Sequence, residues 1–127
     1  MPKPLTFTKE ERLCSKTELD SLFAGGKSVF VYPFKFIFQM ADAQQKFPAR
    51  VVFSVPKRSF KKAVDRNLIR RRMREAYRLQ KAEFYTQMEQ NISLMIIYID
   101  KDILEYSSIE KGMNKGLKKL LLKIKQG

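Results

Sequence analysis

The feature that most constrains this chain is residues 61–85, where apolar and basic residues recur with the period of an α-helix. The apolar residues fall on one face of a helix with about 3.6 residues per turn: Ile69, Met73, Ala76, Tyr77 and Phe84. An arc of about 100° on the opposite side of the helical wheel collects five cations and one amide: Asn67, Arg70, Arg71, Arg74, Arg78 and Lys81. The segment is therefore predicted to be a long amphipathic helix that buries one side and presents a cationic side to solvent.

Three apolar segments are predicted to be β-strands, in residues 29–40, 50–55 and 92–99. The first has one aromatic face, which is predicted to enter the core because such stripes usually pack: Phe34, Phe36 and Phe38. Its other face is mixed: Lys35, Ile37 and Gln39. Such a face fits the edge of the core, and beside a cationic helix it also fits single-stranded RNA, whose bases pack while its phosphates meet cations. The last segment is almost continuously apolar, which is typical of a strand covered on both faces. Residues 42–46 are predicted to be a hairpin connection.

Two more helices are predicted at the ends of the chain. Ser15 and Glu18 form a capping box for a helix over residues 16–24, which Gly25-Gly26 would end in a left-handed conformation. Ser107 and Glu110 form a second capping box. An apolar stripe then follows at helical spacing: Ile109, Met113, Leu117, Leu120, Leu121 and Ile124. The order of elements predicts an α+β domain in which helices pack on a mixed sheet.

The charge of the chain favours a polyanionic partner. The chain has 26 basic and 13 acidic residues, a formal net charge of +13, and residues 57–81 alone hold eleven bases against Asp65 and Glu75. Charge concentrated in this way favours nucleic acid or an anionic membrane. The alternative is a solvated helix face with Glu75 paired to Arg71 or Arg78, but two acids cannot neutralise eleven bases. DNA reading is disfavoured because no helix-turn-helix precedes the segment.

Several classes of site are excluded by composition. There is no histidine and only one cysteine, so disulfides within the chain, Cys/His zinc sites and His-dependent nucleophiles are absent. No segment has the ~18 consecutive apolar residues of a membrane span, and residues 1–5 lack the apolar stretch of a secretory signal. The chain is therefore predicted to be cytoplasmic, with a single domain over residues 1–127 and a loose arm over residues 1–9. A membrane-surface role for the lysine-rich C-terminal helix is the less favoured alternative to core packing.

One motif in the basic helix is specific to a known family. Residues 60–75 read FKKAVDRNLIRRRMRE, which strongly resembles the signature of the bacterial ribonuclease P protein component. That signature has an Arg-Asn pair, two basic residues three and four positions after the Asn, and another Arg three later; these places are filled by Arg66, Asn67, Arg70, Arg71 and Arg74. Residues 53–58 and 23–28 also resemble parts of the family, and the likeness extends over about residues 10–125. Leu68 departs from it, since a second Arg often follows the Arg-Asn pair.

The resemblance implies a fold and a function. The implied fold is an α+β domain like ribosomal protein S5 domain 2, with three helices, a four-stranded mixed sheet and a left-handed βαβ crossover through the basic helix. Sequence rules alone would favour a right-handed crossover. The implied function is that of the auxiliary protein subunit of an RNA-based endoribonuclease, a hydrolase that removes the 5′ leader of precursor tRNA to give the mature 5′ end. The implied partners are the catalytic RNA and the precursor leader, with no membrane and no obligate protein partner.

The resemblance also implies two RNA surfaces and no catalytic residue on the protein. The surface for the catalytic RNA would comprise the basic helix and the loop before it: Lys57, Arg58, Lys61, Lys62, Arg66, Asn67, Arg70, Arg71, Arg74 and Arg78. The cleft for the leader would comprise Leu19, Phe23, Lys35, Ile37, Ser54 and Arg66. The protein alone is expected to bind no metal or cofactor, with Mg²⁺ held by the RNA. The rival functions are a ribosomal or RNA-chaperone protein, and a protein-only nuclease, which the absence of histidine disfavours.

Overall fold

The computed structural model describes residues 7–13, 15–41 and 45–126. Across these residues the chain forms three α-helices and a four-stranded sheet, so the predicted α+β class is confirmed. The helices are α1 (Lys16–Gly25), α2 (Ala63–Thr86) and α3 (Tyr106–Lys125). The strands are β1 (Lys27–Val31), β2 (Phe34–Met40), β3 (Ala49–Ser54) and β4 (Ile92–Tyr98).

The strands lie in the order β1-β2-β4-β3. The segment predicted as one strand over residues 29–40 is two antiparallel strands, because Tyr32 and Pro33 form a tight turn between them. The predicted hairpin between β2 and β3 is wrong: β4 lies between them, antiparallel to β2 and parallel to β3, and residues 42–44 are outside the described residues. The nearly continuous apolar sequence of β4 fits this central place, and the parallel pair is joined by α2, as a parallel pair requires.

Helices α2 and α3 cover one face of the sheet and enclose the main core. The predicted stripes of both helices and the aromatic face of β2 are buried there, which confirms the periodicity argument. Gly116 allows α3 to lie close to β2, since a Cβ atom at that position would be 2.2 Å from Cζ of Phe36. The sequence pattern thus predicted which faces of these elements are buried in this layer.

Helix α1 covers part of the opposite face. Leu22 packs with Leu13, Ile37 and Met95 in a smaller apolar cluster beneath the helix. The prediction that a left-handed glycine ends α1 is wrong, because Gly26 has a φ of −72°. Glycine is needed there for space instead: a Cβ atom on Gly26 would be 2.5 Å from the carbonyl oxygen of Leu22.

The two predicted capping boxes differ in outcome. Ser15 caps α1 by accepting a hydrogen bond from the Glu18 N–H, at 3.3 Å. The Glu18 carboxylate, however, accepts from Arg50 on β3 at 2.7 Å, and so fixes the helix to the sheet. The second box is wrong: α3 begins at Tyr106 after Glu105, so Ser107 lies inside its first turn.

The N-terminal segment packs against the domain. Phe7 contacts the rings of Phe53 and Tyr77, with centroids 5.7 and 6.0 Å apart. Leu13 donates its N–H to the carbonyl of Val51 at 3.0 Å, along the outer edge of β3. The prediction of a loose arm is therefore wrong for residues 7–9, while residues 1–6 lie outside the described part of the chain.

Candidate nucleic-acid interface

The predicted cationic face of α2 forms one continuous surface in its first half. Asn67, Arg71 and Arg74 are exposed and Arg70 is half-buried. With two apolar neighbours they line a single shallow depression, whose residues are Val64, Asn67, Leu68, Arg70, Arg71 and Arg74. We call these four polar residues, Asn67, Arg70, Arg71 and Arg74, the arginine surface.

The arginine surface retains most of its charge for an external ligand. Arg70 donates a hydrogen bond to the Asn67 amide oxygen at 2.8 Å, which orders both side chains. Within the described residues neither Arg71 nor Arg74 has a hydrogen-bonded or ionic partner. The salt-bridge alternative applies to Arg78, whose Nε donates to Glu75 at 3.0 Å. That hydrogen bond lowers the pKa of the Glu75 carboxyl against the effect of burial, so both groups stay charged at neutral pH.

The loop before α2 extends the basic surface. Lys57 and Arg58 are exposed in the turn that follows β3, and Lys61 and Lys62 are exposed directly before the helix. Arg66 fixes this loop by donating to the carbonyl oxygens of Phe60 and Lys61, at 2.8 and 3.0 Å. Phe60 is buried and anchors the loop to the core.

Lys81 does not belong to this surface, which corrects the helical-wheel prediction. Its ammonium group is buried and donates to both oxygens of Glu11, at 2.6 and 2.8 Å. Glu11 also accepts from the hydroxyl of Tyr85 and from the N–H of Thr8, at 2.6 and 2.8 Å. Burial opposes ionisation of Glu11, but the hydrogen bonds from Lys81, Thr8 and Tyr85 outweigh it and hold its pKa below the ordinary value. The N-terminal segment thus covers the second half of α2 on the side that the wheel assigned to solvent.

Several residues predicted for the leader cleft lie on the face of the sheet opposite α2 and α3. Strand register aligns four residues across β1, β2, β4 and β3, in a line that we call the cleft row: Phe30, Lys35, Ile97 and Ser54. Lys35 is exposed, while Ser54 and Ile97 are half-buried. This row borders α1, because Leu19 of that helix packs against the apolar cluster that also includes Ile97. Two residues predicted for the cleft, Lys35 and Ser54, therefore lie in line on one surface.

The remaining residues predicted for the cleft differ in how much of their side chain is exposed to a ligand. Ile37 is 7% exposed because α1 lies over it, so it supports the cleft floor and offers little area to a ligand. Phe23 is 63% exposed on α1, and Arg66 is directed to the loop before α2. Sequence reasoning missed Phe30, which is 61% exposed at the edge of the cleft row, because its register with Lys35 follows from the β1–β2 turn.

The described residues lack two other kinds of feature. Residues 7–13, 15–41 and 45–126 contain no group of three or more His, Cys, Asp or Glu placed to hold a metal ion. Among the helices formed by the same residues, none combines the length and apolarity needed to cross a membrane.

Comparison with known proteins points to one family. Residues 7–124 match the family described as Ribonuclease P. A curated relative from Porphyromonas gingivalis, named ribonuclease P protein component, is 29% identical over 122 residues, which cover 92% of this chain and 89% of the relative. Another of that name from Chlorobium phaeobacteroides is 31% identical over 102 residues, covering 72% of this chain and 70% of the relative.

Solved structures agree in fold. The RNase P protein of Staphylococcus aureus superposes with a TM-score of 0.69 at 20% identity, covering 87% of this chain and 94% of that one. The RNase P protein of Thermotoga maritima gives a TM-score of 0.69 at 21% identity, covering 86% and 96%. At this level of identity the structures show a shared fold, whereas the family match spans nearly every described element. The chain therefore belongs to the ribonuclease P protein family.

Proposed function

We propose that this chain is the protein subunit of a ribonuclease P whose catalytic component is RNA. It binds that RNA through the arginine surface and the loop before α2. It binds the single-stranded 5′ leader of precursor tRNA along the cleft row, and so assists endonucleolytic removal of the leader in the cytoplasm. The observation that carries this proposal is the presence of two different polar surfaces on opposite sides of one sheet, in a chain of this family.

The arginine surface suits a folded RNA with a rigid backbone. A guanidinium group presents a planar fork of donors that matches two phosphate oxygens at once. Arg71 and Arg74 are exposed one helical turn apart, and Arg70 is held by Asn67. The Arg70 side chain, which Asn67 holds in place, loses less rotational freedom on binding, and the three neighbouring cations repel each other until a polyanion is bound.

The cleft row suits a flexible single strand. Bases of single-stranded RNA stack on aromatic side chains while nearby cations meet the phosphates. Phe30 offers an exposed ring, Lys35 an exposed ammonium group and Ser54 a hydroxyl group in one line across the sheet. Because mature tRNA has no leader, contacts made along this row distinguish precursor from product.

We assign the chemistry of cleavage to the RNA. The chain has no histidine, and its described residues bring no acidic cluster together. We propose that the Mg²⁺ ions of the holoenzyme are held by RNA, that no obligate protein partner is needed, and that the subunit contributes binding and orientation. A ribosomal or RNA-chaperone protein would use the arginine surface as well, but would show no preference for RNA with a 5′ leader.

The test is reconstitution with the ribonuclease P RNA of the same organism. We expect Arg71→Ala and Arg74→Ala to weaken binding of the catalytic RNA by about 1.5–3 kcal/mol for each fully formed contact, or ten- to a hundredfold. Lys35→Ala should leave that affinity nearly unchanged and weaken the holoenzyme complex with precursor tRNA, but not with mature tRNA. Protein without RNA should not cleave in any buffer with Mg²⁺.

Three outcomes would overturn parts of this assignment. If both classes of variant lose affinity for the same RNAs in the same proportion, the protein has one undifferentiated basic patch. If wild-type holoenzyme binds precursor and mature tRNA equally, the cleft row is not a leader site. Cleavage by the RNA-free protein would locate the chemistry on the chain itself.

A further inference from the structure

A second concentration of positive charge lies outside the proposed sites. Helix α3 contains six lysines, one glutamate and no arginine. Residues 57–81 and α3 together hold slightly more than the whole formal net charge of +13, so the rest of the chain is close to neutral. The proposed function uses the first of these segments and leaves the second unexplained.

All six lysines of α3 lie on its outer face. They are exposed, opposite the stripe that packs on the sheet, and we call them the lysine surface: Lys111, Lys115, Lys118, Lys119, Lys123 and Lys125. At about 1.5 Å per residue, the distance from Lys111 to Lys125 along the helix axis is about 21 Å. Lys119 approaches the carbonyl oxygen of Phe30 at 3.5 Å. Within the described ranges no carboxylate forms a salt bridge with any of the six.

The lysine surface is separated from the arginine surface and borders the cleft row at its β1 end. Between α3 and the second half of α2 lies a groove lined by Gln80, Glu83 and Asn114, with Lys118 of the lysine surface on its α3 side. Gln80 closes part of it by donating to the carbonyl oxygen of Glu110 at 3.3 Å. The cleft row lies on the face of the sheet opposite α3, and the two surfaces meet at the β1 edge, where Lys119 and Lys123 line one depression with Phe30. A ligand of the lysine surface therefore need not touch the arginine surface.

The side chains of α3 fit phosphates better than a membrane or a second copy. The apolar stripe that would enter a membrane is buried against the sheet, and Leu122 is the one large exposed apolar residue recorded along this helix. A second copy of so basic a chain would be repelled. Lysine presents a compact, strongly hydrated charge on a flexible stem, which suits phosphate contacts that need no fixed geometry.

We propose that the lysine surface is a second RNA-binding surface, which contacts backbone phosphates of a double-helical segment of the catalytic RNA. It adds affinity and speeds association, and it does not select among RNA sequences. This inference rests on the proposed function, because it takes the catalytic RNA as its ligand.

The experiment compares two fourfold variants of equal charge. The test variant replaces Lys111, Lys115, Lys118 and Lys123 with Gln. The control variant makes the same change at four exposed lysines elsewhere: Lys9, Lys16, Lys27 and Lys101. Gln has nearly the helix propensity of Lys, so α3 should be kept. Binding of the catalytic RNA alone is measured as a function of salt concentration.

Each phosphate contact contributes about 0.9 to the slope of log K against log salt for a duplex. We expect the test variant to have a slope shallower by about two to four, while the control stays close to wild type. Discrimination between the catalytic RNA and an unrelated duplex should not fall. Equal slopes for the test and control variants would overturn the proposal. So would a test variant that binds RNA like wild type but no longer binds vesicles of anionic lipid, because the lysine surface would then be a membrane contact.

An Arg71→Ala, Arg74→Ala double variant in the same titration separates this inference from the proposed function. If that variant loses affinity and the α3 variant does not, only the lysine surface is refuted. If neither loses affinity, the assignment of the catalytic RNA as ligand fails.

Discussion

Replacing Lys81 with Met tests the assignment of this lysine to the core rather than to the RNA-binding face. The side chain of Lys81 is 4% exposed, and that of its partner Glu11 is fully buried. Met is similar in length and helix propensity, and it can lie against the rings of Phe47 and Tyr85, whose centroids are 5.8 and 5.9 Å from the ammonium nitrogen. The change therefore removes a charge while keeping most of the packing.

The expected cost comes from the carboxylate that remains. Breaking a buried ion pair by removing one partner usually costs about 3–5 kcal/mol. Glu11 can escape that cost by taking up a proton, which at pH 7 requires about 3.4 kcal/mol for a group with an ordinary pKa of 4.5. We therefore expect Lys81→Met to lower the free energy of unfolding by about 3 kcal/mol at pH 7, and by less at pH 5.5, where protonation is easier.

Urea denaturation followed by circular dichroism measures this loss at the two pH values. A Glu11→Gln, Lys81→Met double variant should recover much of the loss, because a neutral amide replaces the unpaired charge. Arg74→Ala is the matched control on the exposed side of α2, and it should change stability by less than about 0.5 kcal/mol. If Lys81→Met instead leaves stability unchanged and makes the salt dependence of RNA binding shallower, Lys81 is an RNA contact and the buried pair does not form.

Two further predictions concern acid stability and helix packing. Because the folded state lowers the pKa of Glu11, its stabilising contribution is complete above the unfolded value of 4.5 and is lost as pH falls through the folded value. The wild type should therefore lose stability between about pH 5 and pH 3 faster than the Glu11→Gln, Lys81→Met variant, and parallel curves would contradict this. Gly116→Ala would place a Cβ atom 2.2 Å from the Phe36 ring, so overpacking of about 1–3 kcal/mol should exceed the gain in helix propensity. A thermal melt that shows a more stable variant would mean that α3 can move away from β2 at little cost.

Local periodicity predicted the parts of the fold that depend on one element at a time. The spacing of Ile69, Met73 and Tyr77 placed a buried face on α2, and the spacing of Phe34 and Phe36 placed one on β2. These predictions succeed because the sequence of a segment alone determines which of its faces is apolar. The helical wheel also placed the members of the arginine surface on one face of α2, where they line one depression, and the family motif includes the same residues.

The larger errors of the sequence analysis concern contacts between distant segments. A helical wheel puts Lys81 opposite the apolar face but contains no information about Glu11, seventy residues earlier, which covers it. The same limit explains the wrong hairpin, since strand order is decided by the pairing of β4 and not by the length of a loop. The sequence does not show that Phe30 aligns with Lys35, because this alignment depends on the register between β1 and β2.

The central position of β4 also has a consequence for the order of events during synthesis. β4 is the last strand to leave the ribosome, yet it pairs with both β2 and β3. Until residues 92–98 emerge, the β1–β2 hairpin and β3 have no strand between them, and the apolar face of α2 has only part of its eventual cover. Sheet completion therefore waits for about three quarters of the chain to be made, and a nascent chain that stops before β4 has two unjoined pieces of sheet and exposed strand edges.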